Sequence, residues 1–255
     1  MAEWSKEKLI NALEHTILPP LNARTLETDS VSDYQTRLTR EGQFVSELYH
    51  ENSKLNEFKK ENIVNDNVVI KEVIDWCLLT ACNIEESVIN KVEGRDVFKK
   101  LDDFSPPIRD VIRELGSDEG LLPLFYSIGM LVLNNEAIYR FLPRKDYLMR
   151  EKSISDEEKK ELLGGINYSS YPTYEDGFIF LVGIPWRKMV FYGQRGYREM
   201  LLDAGCLLQV MQHIGRTKKI ATRQYTLFYD SKINNLLNLD GVETYVLGIV
   251  SISCA

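Results

Sequence analysis

Between Phe191 and Gly205 the chain reads FYGQRGYREMLLDAG. Tyr192 and Tyr197 flank Arg195, and Arg198 comes next. Aromatic rings beside guanidinium groups suit a flat, electron-rich ligand or a phosphate. Gly193 and Gly196 would let the backbone approach such a ligand. A tyrosine beside a cation can also exchange a proton, because the positive charge stabilises its phenolate. The plainer reading is that both rings pack the start of a helix and the arginines are surface charge.

Two further stretches have residue types that bind anions. Gly116-Ser117-Asp118-Glu119-Gly120 is a polar turn that could aim backbone N–H groups at a phosphate. Its two carboxylates favour a plain solvent turn instead. Arg216, Lys218, Lys219 and Arg223 form a basic cluster suited to a phosphate or to an acidic patch on a partner. A solvated charge run is the commoner meaning of such a cluster. The three histidines, His15, His50 and His213, share no metal-ligand spacing, so no metal site is expected. Glu85-Glu86 and Asp102-Asp103 are adjacent pairs whose side chains diverge, which makes them poor general acids. Cys77, Cys82, Cys206 and Cys254 lack a C-x-x-C spacing and read as buried, reduced thiols.

Elements must hold these groups in place. The chain has 255 residues, 44% hydrophobic and 27% charged, which suffices for a sizeable core. A net charge of −7 argues against nucleic acid or an anionic membrane as the main partner. No apolar run reaches the roughly 20 residues of a membrane helix, and the polar start does not read as a signal peptide. A cytoplasmic location is the resulting expectation. The spacing predicts helices over 3–15, from Pro106, over 156–165 with a C-cap at Gly164, from Arg198 to about His213, and at INNLLNL. Ser105 is the expected N-cap of the second of these. A hairpin is expected about Asn134-Asn135, a central strand over 177–184, a mixed strand or loop at TRQYTLFYD, and a final strand in VETYVLGIVSI. The helix from Arg198 is nearly apolar along its middle, which places it in the core or at a dimer seam. The whole reads as α+β, with helices around a mostly antiparallel sheet. Residues 1–65 form an N-terminal helical segment and 66–255 the main domain.

The same segments resemble those of the SagB-type dehydrogenases, flavin-dependent members of the nitroreductase superfamily. Leu48-Tyr49-His50-Glu51-Asn52-Ser53-Lys54 is similar to an N-terminal "YHExSK" segment. Ser117 to Pro123, with Ala137-Ile138-Tyr139-Arg140-Phe141 after it, resembles "PSAGALYP" and its later "YRY". Pro185-Trp186-Arg187 through Gly205 resembles "KYGxRGYRxxLLDAG", the most specific of the matches. Asn234 to Asp240 resembles "LLxLD", and the terminal strand resembles the family's last strand. The likeness spans about residues 45–252.

This resemblance implies a nitroreductase-like α+β fold, a homodimer or a heterodimer with a nitroreductase-like paralogue, and FMN between the subunits. It implies oxidation of azoline rings to azoles on a peptide substrate, alongside a cyclodehydratase. Acid–base work falls to Tyr192, with Lys188 standing in for the family's lysine, whose place is taken by Phe191. On a regular strand Lys188, three residues before Phe191, would point to the other face from that position. Arg95, Ser117, Arg195, Arg198 and Arg223 are the implied cofactor-binding residues. The departures at Gly116, Glu119 and Phe191 support a second reading, a flavin-free subunit that scaffolds a peptide-modifying complex.

Overall fold

Strand Gly177–Gly183 is buried at every position, so it has neighbours on both edges and both faces. A computed structural model describes residues 70–75, 97–134, 137–166 and 176–254. The expected segment 1–65, with His50, lies outside the described residues, as do Arg95, Cys77 and Cys82. The described part holds a seven-stranded sheet: β1 (Phe98–Lys100), β2 (Ile128–Asn134), β3 (Ala137–Phe141), β4 (Tyr147–Ser153), β5 (Gly177–Gly183), β6 (Ile220–Tyr225) and β7 (Tyr245–Cys254). The strand order is β1-β4-β3-β2-β5-β7-β6, and every neighbouring pair is antiparallel. The expected hairpin is present, with Leu131 opposite Arg140 and Asn134 opposite Ala137.

Alternation along the strands divides the core in two. Met130, Val132, Ile179, Leu181, Val250 and Ile252 face one side, where α1 (Pro106–Ser117) and a long later helix cover them. Leu131, Leu133, Phe178, Phe180, Val182 and Ile249 face the other, covered by α2 (Asp156–Ile166) and a short helix near residue 233. The α+β class with a mostly antiparallel sheet is therefore as expected.

Several details differ. Ser105 occupies the N-cap position of α1, but its hydroxyl makes no capping bond. Helix α2 runs through Gly164 to Ile166, so Gly164 is not its cap; its start is fixed by a reciprocal pair, Ser155 N–H to Glu158 and Glu158 N–H to Ser155 Oγ. Pro185–Tyr192 forms a helix, α3, and not the regular strand assumed in placing Lys188 against position 191. The long helix α4 covers Arg195–Lys218, longer at both ends than the periodicity suggests, and α5 covers Asp230–Leu236. Met200, Ala204, Leu207, Met211 and Ile214, at steps of four and three, bury one face of α4. Its opposite face leaves Leu202 61% exposed. Cys206 and Cys254 are exposed free thiols, contrary to the expected burial, because both lie off the packed faces.

Candidate active site at the junction of α3 and α4

The tight turn between α3 and α4 depends on its glycines. Pro185 opens α3, where its missing N–H costs nothing and its φ is already helical. Gly193 closes the helix at φ 57° and ψ −142°, a region that disfavours any side chain, and donates its N–H to the Met189 carbonyl at 2.8 Å. A Cβ at Gly196 would stand 2.4 Å from the carbonyl carbon of Lys188 and from the amide nitrogen of Met189. Gly193 thus supplies the backbone conformation of the turn, and Gly196 lets α4 press onto α3.

Because α3 is a helix, Lys188 and Tyr192, four residues apart, are neighbours on one face, and Lys188 and Phe191 are not on opposite faces of a strand as expected. The Lys188 ammonium lies 2.9 Å from Asp203 Oδ2 on α4, and the two side chains are 12% and 13% exposed. The fully buried Ser127 donates its hydroxyl to the same oxygen at 2.8 Å. Phe191 points the other way, is fully buried, and meets the Tyr126 ring at 5.9 Å between centroids. Position 191 is therefore a core position in this chain, and the polar face belongs to 188 and 192. Arg187 completes the surroundings, donating to the Tyr126 carbonyl at 2.9 Å with its guanidinium 5.6 Å from the Trp186 ring centroid.

The charge around Tyr192 is opposite to the expected one. Arg195 is paired with Glu199 at 3.2 Å. Burial pushes the Tyr192 phenol above its ordinary range, and the carboxylates of Glu199 and then Asp203 push it further. Tyr192 is thus a phenol at neutral pH, not a phenolate. Asp203, given no role from the sequence, is the group that joins Ser127, Lys188 and this field. Its signal was a lone carboxylate inside the apolar LLDAG stretch.

The implied cofactor residues fall into separate places. Arg195 and Arg198 stand at the start of α4, and Arg198 is exposed. Ser117 is the exposed last residue of α1 and donates its hydroxyl to the Glu114 carbonyl at 3.2 Å; in the turn after it Asp118 already accepts the Gly120 N–H at 2.8 Å. Glu114 holds Lys218 at 2.5 Å, so Ser117 sits near the far end of α4, a helix of 24 residues and about 35 Å. Gln224 donates to the Leu208 carbonyl of α4 at 2.7 Å, so its neighbour Arg223 faces the other side of the sheet, over the Tyr225 ring at 5.3 Å. Arg95 lies outside the described residues. The donors are right for a phosphate-bearing ligand such as FMN, but one chain divides them between places that a single phosphate cannot bridge. Among the described residues no cluster could hold a metal, and no helix is long and apolar enough to cross a membrane.

No family model matches the sequence, and no curated protein matches it. Among solved structures, the chain is similar to a chain of the E. coli microcin synthetase McbBCD complex with truncated pro-MccB17 bound. That match has 14% identity and a TM-score of 0.51, over 99% of this chain and 94% of the other. A putative nitroreductase from Ralstonia eutropha is similar at 12% identity and a TM-score of 0.48, over 64% of this chain and 87% of that one. A putative nitroreductase from Anabaena variabilis is similar at 18% identity and a TM-score of 0.43; the match covers 50% of this chain and only 27% of that longer one. The likeness to the McbBCD chain is one of fold, and the described residues have the α+β architecture with an antiparallel sheet expected from the sequence.

Proposed function

We propose that the chain is an FMN-dependent dehydrogenase subunit that oxidises azoline rings to azoles within a peptide-modifying assembly. The observation that carries this reading is the placement of Lys188 and Tyr192 on one helix face, with Asp203 holding the lysine. The fold supports it, and so does the end-to-end similarity to a chain of a complex that has a peptide bound. Bound FMN supplies the hydride acceptor for such an oxidation. The oxidation also releases a proton, and Tyr192, a partly exposed phenol, would relay it: the hydroxyl takes up the substrate's proton as its own passes to solvent water. The Lys188 ammonium lowers the cost of negative charge developing nearby.

The divided phosphate donors support a site shared by two chains. A two-fold axis across α4 pairs the helix antiparallel with its copy. The partner's far end, with its Ser117 turn, then comes beside Arg195 and Arg198. The alternative, a flavin-free scaffold, is favoured by one specific observation: Arg195 and the turn's Gly120 N–H already have partners within the chain. Turnover of an azoline-containing peptide by the parent distinguishes the two, since a scaffold gives none, and turnover by Tyr192→Phe tests the role of the phenol. We expect flavin to be retained and turnover to fall about 100-fold; unchanged turnover removes Tyr192 from the reaction.

A further inference from the structure

We propose that Asp203 is the positioning residue of the α3–α4 site: fixed by the Ser127 hydroxyl, its carboxylate anchors the Lys188 ammonium on the helix face that carries Tyr192. This role rests on the proposed function, but its test needs no flavin, so the two can fail separately.

An ion pair on an open surface is loosely held and contributes little. This one differs in burial and in its third member. Both side chains are about seven-eighths buried, and Ser127 bonds the same carboxylate oxygen that Lys188 does. Ser127 is itself fixed, because its carbonyl accepts the N–H of Ile184, the residue just before α3, at 2.9 Å. One residue therefore ties the start of β2 to both helices of the site. A free lysine samples many rotamers, and ordering it on binding costs side-chain entropy. With Asp203 in place the ammonium is held before any substrate arrives.

The other charges facing Tyr192 are accounted for. Lys188 shares its helix; Arg195, Glu199 and Asp203 come from α4; the Ser127 hydroxyl comes from the segment before β2. Glu199 lies one turn before Asp203 and is paired with Arg195, so each carboxylate on this face of α4 has its own cation. Asp203 is the one of the two that holds Lys188.

The test is lysine acylation with acetic anhydride, read residue by residue by peptide mapping. In the unmodified protein Lys188 should react about ten-fold more slowly than the exposed Lys160 and Lys219. Asp203→Asn should raise the Lys188 rate several-fold, and Asp203→Glu should restore most of the protection. Lys152, held by Glu158 on α2, reports general loosening and should stay unchanged. Should Asp203→Asn fail to fold, Ser127→Ala removes only a hydroxyl and should act in the same direction. The second readout is the alkaline titration of Tyr192, isolated from the other tyrosines as the difference between Asp203→Asn with and without Tyr192→Phe. Its midpoint should fall when Asp203 loses its charge. An unchanged Lys188 rate in the folded variants, a Lys152 rate that rises in step, or an unmoved tyrosine midpoint overturns the proposal.

Discussion

At Tyr192, burial and two carboxylates act together to keep the proton on the phenol. The folded chain thus binds this proton more tightly than the unfolded one does. The resulting stabilisation is complete below the ordinary tyrosine range and is lost as pH rises through the raised folded value. Tyr192→Phe should therefore lose less stability than the parent between neutral and strongly alkaline pH, as read by urea denaturation at each pH. A parent and a variant that decline equally would show that Tyr192 feels no such field. Phe191 sets the neighbouring expectation. Placing a lysine there, as Phe191→Lys, puts a cation into a fully buried position against Tyr126. It should destabilise the fold by about 3 kcal/mol or more, and it should not raise turnover. A stable, more active variant would mean that position 191 reaches the site. The sequence showed which residue types were present, and Lys188 and Tyr192 were both legible in it. The direction of the field on Tyr192 was not, because it comes from carboxylates that one turn of α4 brings close.

At the scale of elements, the decisive feature is that α3 is a helix. Read as a strand, Lys188 and Tyr192 share a face but stand about 13 Å apart; read as a helix, they are neighbours one turn apart. Eight residues of mixed aromatic, basic and aliphatic type carry too little periodicity to decide, and Pro185 at the start with Gly193 at the end was the usable signal. The central strand β5 and the hairpin of β2 and β3 were legible because their apolar runs are bounded by turn residues. β4 (YLMREKS) was not, because it sits near a sheet edge with only Leu148 fully buried. The glycine that lets α3 and α4 touch gives the element-scale prediction. Gly196→Ala forces a methyl onto the backbone of Lys188 and Met189, which cannot yield as a side-chain end would. It should cost about 2–3 kcal/mol, visible as a clear drop in Tm. A Tm within a degree of the parent would contradict the packing role given to Gly196.

At the scale of the molecule, α4 has one face in the core and a second that carries Leu201, Leu202 and Cys206 to the surface. The apolar middle of this helix suggested core or dimer seam, and its inner face is indeed core. The pairing proposed for the outer face joins the two halves of the phosphate site, which no single-chain pattern can display. Leu202→Glu should therefore convert a dimer to a monomer in light scattering and reduce flavin binding along with it. Flavin retained in a monomeric variant would place the whole site within one chain. The most direct test of the proposed function is the visible absorption spectrum of the purified protein incubated with FMN, after removal of unbound flavin. The expected result is a flavin spectrum with about one FMN per chain, released and identified after denaturation. A protein that stays colourless with excess FMN contradicts the proposed function and makes the chain a scaffold.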